Sequence, residues 1–169
     1  ALLPWATVLQ NVAFGLRARG VQKKEREKTA LHYIREVGLQ GFEDKYPHQL
    51  SGGMRQRTGL ARALTINSDI LLMDEPFSAV DEQMRRKLQE DLLNLLRIEN
   101  KTVIFVTHSI EEAVYLADQV VILSGRPGSI ADIVYPEIDR RGEIDLIRRQ
   151  SRYMELVDEI WSSLKRYVE

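Results

Sequence analysis

The chain has 169 residues, a formal net charge of −1 and 44% hydrophobic residues, which suits one globular domain with a real core. The near balance of charge offers none of the basic excess that nucleic-acid binding requires, and no nucleic-acid partner is expected. The absence of cysteine excludes a disulfide, a thiol nucleophile and a cysteine-based metal site.

No apolar run approaches the ~18 residues of a membrane span. The sequence opens on alanine without a signal-peptide pattern, so a protein of the cytoplasmic kind is expected. Leu2-Leu3-Pro4-Trp5 is apolar, and Trp5 suits either a core or an exposed contact. Thr7 and Gln10 have capping-box spacing, opening a helix that carries Leu9, Val12, Ala13 and Leu16. Residues 22–37 read as a charged helix with Ala30, Leu31, Ile34 and Val37 on one face, stopped by Gly38. Residues 41–49 read as a loop, and His48 as a loop residue with no His or Cys neighbour to complete a metal site.

Leu50-Ser51-Gly52-Gly53-Met54-Arg55-Gln56-Arg57 follows. The two glycines stand where a loop enters a helix over residues 54–66, and Ser51 is placed to cap it. Glycine lets backbone N–H groups approach a bound group. The unpaired N–H groups and the helix dipole favour an anion there. The pattern suggests a phosphate reader, although alone it is more often a capped surface helix after a Gly-Gly turn.

Residues 70–73 form an apolar run too short for a helix and read as a strand buried on both faces. The run ends in Asp74-Glu75-Pro76. Adjacent carboxylates at the carboxyl end of a buried strand are costly without a task, and that end is where ligands bind in open α/β sheets. Asp74 can take Mg²⁺, directly or through water. Glu75 can polarise a water that attacks a phosphate.

Residues 82–97 read as a long amphipathic helix with Met84, Leu88, Leu92, Leu95 and Leu96 inward, a crossover suited to a parallel strand pair. Residues 102–106 read as the second strand, ending in Thr107-His108, and Ser109 with Glu112 as a capping box for the next helix. A third strand is expected over 120–123, a Ser-Gly-Arg-Pro-Gly turn over 124–128 and a short edge strand over 130–135. Residues 139–142 read as a polar linker. Tyr153, Leu156, Val157, Ile160, Trp161, Leu164 and Val168 form a helical stripe that reads as a packing face.

Taken together, these motifs resemble the ATP-binding cassette (ABC) ATPases. Leu50-Ser51-Gly52-Gly53 matches the family's signature motif, residues 70–75 the Walker B strand with its catalytic glutamate, Ser78-Ala79-Val80-Asp81 the D-loop, and His108 the switch histidine. Met54 departs from the glutamine usual in the family, which weakens a polar contact near the nucleotide. The Leu-Leu-Pro-Trp segment and the Ser-Gly-Arg-Pro-Gly turn further resemble the nitrate/sulfonate/taurine importer group.

The resemblance implies an α/β fold of the P-loop NTPase type. Residues 1–66 would form a helical signature-motif subdomain, residues 67–135 a parallel-sheet ATPase core, and residues 136–169 a linker with a C-terminal amphipathic helix. It implies ATP and Mg²⁺ as ligands and a composite site in a dimer with a second ATPase subunit. There Ser51, Gly52 and Gly53 would meet the γ-phosphate bound to the partner. Asp74 would hold the metal, Glu75 act on the attacking water, His108 contact the γ-phosphate, and Asp81 tie the two sites together. The further partners implied are transmembrane permease subunits and, indirectly, a solute-binding protein outside the membrane. The location implied is the cytoplasmic face of the membrane, and Trp5 would face the permease.

The pattern G-x-x-x-x-G-K-[ST] is absent: Gly15 and Gly20 have its glycine spacing, but Val21 and Gln22 follow. The glutamine of the family's Q-loop is missing as well. The expectation is the C-terminal two thirds of a cassette without its N-terminal strands and P-loop, inactive by itself. A non-catalytic interaction module and a non-transport ABC ATPase are the alternatives.

Overall fold

The computed structural model describes residues 1–78, 80–99, 101–125 and 127–168, without the side chains of 98, 99 and 168. The chain folds as two compact units, Ala1–Ile104 and Phe105–Glu169.

In the first unit, helices α1 (Val8–Val12), α2 (Phe14–Ala18), α3 (Lys23–Glu36) and α4 (Gly52–Thr65) precede strand β1 (Ile70–Asp74), helix α5 (Glu82–Glu99) and the start of strand β2 (Thr102–Val106). The Thr7–Gln10 capping box is complete: the Gln10 N–H donates to Thr7 Oγ1 at 3.3 Å, and the Thr7 N–H to Gln10 Oε1 at 3.0 Å. The single helix expected beyond it is divided at Ala13. The core-facing stripe ends there, since α2 buries none of its residues. Val8 and Val12 meet Ala30, Tyr33 and Ile34 of α3 and Ala61 and Leu64 of α4, and Leu71 of β1 and Leu95 of α5 complete this core.

β1 and β2 are hydrogen-bonded neighbours. The Thr102 N–H donates to the Asp69 carbonyl at 3.1 Å, joining the start of one strand to the start of the other. That is the arrangement of a parallel pair, with α5 as its crossover. Burial on both faces, expected for β1, is not what the strand shows. Leu71 is buried while Leu72 is 73% exposed, and Ile70 and Ile104 are exposed too. Only the face carrying Leu71, Met73 and Val103 packs on the helical core. Apolar composition alone does not say whether one face or two are covered.

The second unit carries α6 (Ile110–Leu116), β3 (Val120–Leu123), β4 (Ile130–Val134), α7 (Ile144–Arg148) and α8 (Ser151–Val168). β3 and β4 pair antiparallel, with Val120 opposite Val134 and a register shift between Ile122 and Leu123. The intervening turn includes Arg126, outside the described residues. Of the expected C-terminal stripe, Tyr153, Leu156 and Ile160 are buried, and Tyr153 donates its hydroxyl to the Glu111 carbonyl on α6 at 3.0 Å. Trp161 is 53% exposed. Lys165 Nζ stands 5.4 Å from the centre of its ring, a cation–π contact at the surface. The stretch read as a polar linker is fastened: Arg140 pairs with Asp118 at 2.8 Å and donates to the Ala117 carbonyl.

The two compact units divide inside β2, whereas the three-part division at residues 66 and 135 follows role along the chain and stands as a proposal. No helix among the described residues is long and apolar enough to cross a membrane.

Candidate functional site

The entrance to α4 is built as its residue types dictate. Ser51 has extended backbone, and its Oγ accepts the Met54 N–H at 3.3 Å, leaving Gly52 and Gly53 as the first helical residues. Ser51 is exposed and Gly53 buried. A Cβ on Gly53 would stand 3.0 Å from both Cγ and Sδ of Met84, so the glycine gives α5 its close approach to α4. Met54, the departure from the usual glutamine, packs against the helical core.

Asp74 ends β1. Glu75 follows with φ of 43°, in the left-handed region. Such a backbone is costly for any residue with a side chain, and more so directly before a proline. The turn behind it is closed twice on the Glu75 carbonyl, by the Ser78 N–H at 3.3 Å and the Ser78 hydroxyl at 3.0 Å. Phe77 anchors the turn in the interior. Ala79 of the expected D-loop lies outside the described residues.

Asp81 has a local task that sequence reading did not assign. Its Oδ1 accepts the Met84 N–H at 2.9 Å, capping α5. The cap fixes the first turn of α5, and Met84 on that turn lies against Gly53. The signature loop and the Asp74–Asp81 segment are thus joined through α5. Arg57, one turn beyond the glycines, adds a second joint. Its Nη2 donates to Asp91 Oδ2 on α5 at 2.9 Å, and its Nη1 to the Val37 carbonyl at the end of α3 at 3.3 Å. Neither Met84 nor Asp91 is close to the signature in sequence, so local pattern carried no signal for either contact.

His108 belongs to the second unit, exposed just beyond β2. Of the capping box expected after it, one half forms: Ser109 Oγ accepts the Glu112 N–H at 3.3 Å. The Glu112 carboxylate instead accepts the Thr107 hydroxyl at 2.6 Å, and Thr107 Oγ1 accepts the Ser109 N–H at 3.0 Å. Thr107 and Ser109 thereby brace the backbone on both sides of His108. His48 is not in an open loop as expected but in a single 3-10 turn, Pro47–Gln49, opened by the proline, and it stacks on Tyr46 with ring centres 5.9 Å apart. Trp5 is 74% exposed, which removes the core reading for it.

The donor set limits what the chain binds unaided. Among the described residues no group of three His, Cys, Asp or Glu side chains could hold a metal ion. Asp74 at the end of β1 offers a carboxylate, a group that can supply one oxygen ligand to a hard cation.

Comparison with known proteins gives a consistent picture. The family model described as ABC transporter matches residues 1–78. An uncharacterised ABC transporter ATP-binding protein of Methanocaldococcus jannaschii is 50% identical over 97% of this chain and 63% of its own length. A taurine import ATP-binding protein of Rhizobium johnstonii is 46% identical over 95% of this chain and 63% of its own length. The chain thus spans less than two thirds of these relatives. Among solved structures, the dimeric post-hydrolysis state of an ATP-binding cassette bound to ADP and Pi aligns with a TM-score of 0.67. Its identity is 33%, over 83% of this chain and 60% of that one.

Proposed function

We propose that this chain, which belongs to the ABC transporter ATP-binding family, is the signature and Walker B part of an importer's ATPase subunit. It would couple ATP hydrolysis to uptake of a small solute such as nitrate, a sulfonate or taurine. Two features support the importer group: the similarity to a taurine import protein, and an exposed Trp5 in a Leu-Leu-Pro-Trp segment suited to docking a permease.

The observation that carries the enzymatic reading is Glu75. A carboxylate held in a left-handed backbone at a strand end, before a proline and behind a doubly closed turn, is a conformation the fold sustains at a cost. The proposed division of labour follows from what each group can do. ATP supplies the phosphoryl group, and Mg²⁺ neutralises its charge. Asp74 offers the metal one carboxylate oxygen. Glu75 orients and polarises the attacking water, and His108 donates to the γ-phosphate. Ser51 and the N–H groups of Gly52 and Gly53 face the phosphate of a second subunit's nucleotide. Asp81, besides capping α5, stands where the two subunits would meet. The subunit would work at the cytoplasmic face of the membrane, beside a permease and, through it, a solute-binding protein.

The P-loop half of each site has to come from residues outside these 169. The test therefore uses a chain extended to the length of the relatives and carrying a P-loop. Glu75→Gln should keep ATP binding, lower turnover by roughly 10²–10⁴-fold and accumulate an ATP-bound dimer in sedimentation. Turnover near wild type would remove Glu75 from its role.

A second reading, a non-catalytic interaction module, is favoured by the missing G-x-x-x-x-G-K-[ST] pattern. Under either reading the 169-residue polypeptide itself should bind Mg-ATP poorly in calorimetric titration. Hydrolysis by the extended chain separates the two.

A further inference from the structure

We propose that Arg57 is a positioning residue for the signature loop, holding α4 to α5 so that Ser51 and Gly52 present a fixed surface to the nucleotide of a second subunit. The inference rests on the reading of Ser51 as acting across a dimer, and adds to it the device that sets the loop's place. Three observations carry it.

First, Arg57 is fixed from two directions. Its guanidinium spans the Val37 carbonyl at the end of α3 and the Asp91 carboxylate in the middle of α5. The side chain is only 17% exposed while Asp91 is half exposed. A planar fork with several donors suits such bridging in a way that a lysine ammonium does not.

Second, the wall beside it is shaped for the guanidinium. Gly38 has φ of 68°, and a Cβ there would stand 3.1 Å from Arg57 Nη1. The helix-ending glycine therefore serves the turn and leaves room for the arginine.

Third, the same pair of helices meets once more at the site itself. Gly53 packs on Met84, whose N–H is held by Asp81. α4 and α5 are therefore pinned at two levels, Gly53–Met84 at the loop and Arg57–Asp91 further along. With the second pin lost, α4 could tilt about the first, and the Ser51 end would lose its fixed bearing. Arg57 touches no reacting group; its effect on chemistry is through the loop.

The experiment uses the extended, P-loop-containing chain with Arg57→Met, Asp91→Asn, the double variant and Arg57→Lys. ATP binding by the monomer belongs to the P-loop and should stay within about twofold of wild type in all four. ATP-driven dimerisation and turnover should fall about tenfold in Arg57→Met and less in Asp91→Asn, which keeps the Val37 bond. The double variant should be no worse than Arg57→Met alone, because both changes break one joint. Arg57→Lys should recover only part of the loss.

Dimerisation and turnover at wild-type levels in Arg57→Met would overturn the proposal, as would additive losses in the double variant. Should Arg57→Met fail to fold, Asp91→Asn changes a surface carboxylate and carries the same test, a wild-type result again overturning the proposal. Glu75→Gln in parallel keeps the two inferences apart. If Glu75→Gln hydrolyses normally, the site reading fails, whereas loss of dimerisation in the Arg57 series is read by sedimentation without reference to hydrolysis.

Discussion

Asn11 holds Leu3 by both of the latter's backbone groups: Oδ1 accepts the Leu3 N–H at 2.8 Å and Nδ2 donates to the Leu3 carbonyl at 3.1 Å. The same Nδ2 also lies 2.9 Å from the Ala6 carbonyl and 3.0 Å from the Thr7 carbonyl, so its two N–H groups are shared among three acceptors. Asn11 is fully buried. One side chain thus satisfies the backbone of a loop that lacks helix or strand partners, as buried polar groups require. Its consequence is at Trp5, which this loop carries into solvent.

Asn11→Ala should therefore cost about 1–3 kcal/mol, since the Leu3 N–H and the Ala6 carbonyl lose their partner, while the Leu3 and Thr7 carbonyls keep the Ala6 and Asn11 N–H groups. The loop should loosen before the helices do. Trp5 fluorescence anisotropy should fall in the variant, with Trp161 replaced by phenylalanine to leave one reporter. Unchanged anisotropy and an unchanged denaturation midpoint would show that the loop is held by other contacts.

Gly15 is a second position where space decides. A Cβ there would stand 2.6 Å from Cγ1 and 2.8 Å from Cδ1 of Ile66, at the end of α4. Alanine is the better helix former, yet the overlap falls on a branched side chain close to its own backbone. Gly15→Ala should destabilise by about 1–3 kcal/mol, and Ile66→Ala in the same chain should return part of it. Urea denaturation of the two singles and the double measures both. A stabilised Gly15→Ala would mean that Ile66 gives way at no cost.

These residues mark what the sequence could and could not disclose. Cap chemistry and period were legible, because Thr7, Ser51 and Gly38 act on neighbours a few residues away. The motifs around Ser51 and Asp74 were legible for the same reason. Contacts between distant segments were not: Asn11 sat unremarked between Leu9 and Val12, and nothing near Gly53 announced Met84. The exposure of Leu72 escaped as well, because an apolar strand reads alike whether one face or two are covered. Trp161 was read as packing by its spacing, yet it lies beside Lys165 at the surface.

Tyr153 gives a pH prediction for the second unit. Burial pushes its phenol from 10.0 up to about 12, with Arg148 lowering it and Glu111 raising it by smaller amounts. A raised value means that the fold favours the neutral form, so the stabilisation is complete below pH 10 and is lost as the pH climbs through about 12. Absorbance near 295 nm should show one tyrosine ionising late, and Tyr153→Phe should remove that step. The variant should also lessen the alkaline fall in stability of the α6–α8 unit, at the cost of the hydroxyl's bond to Glu111. An unchanged late step in Tyr153→Phe would assign it to another tyrosine.

The proposal that Ser51 acts on a second subunit's nucleotide can be tested by putting bulk where closure is needed. Ser51 opens α4, and its Oγ is engaged with the Met54 N–H. A helix entrance of this kind favours an anion, yet no P-loop in these 169 residues would place a phosphate before it. In a chain that carries one, Ser51→Arg removes the cap, worth about 0.5–2 kcal/mol, and projects a long side chain into the loop. ATP binding by the monomer should be nearly normal, while ATP-driven dimerisation and hydrolysis should fail. The decisive measurement mixes two variants, one with Ser51→Arg and one with a disabled P-loop lysine. In a mixed dimer, one composite site carries both defects and the other carries neither. Part of the hydrolysis should therefore return on mixing, with sedimentation in Mg-ATP reporting dimers alongside. If Ser51→Arg instead abolished nucleotide binding by the monomer, the loop would belong to its own subunit's site and the assignment across the dimer would be wrong.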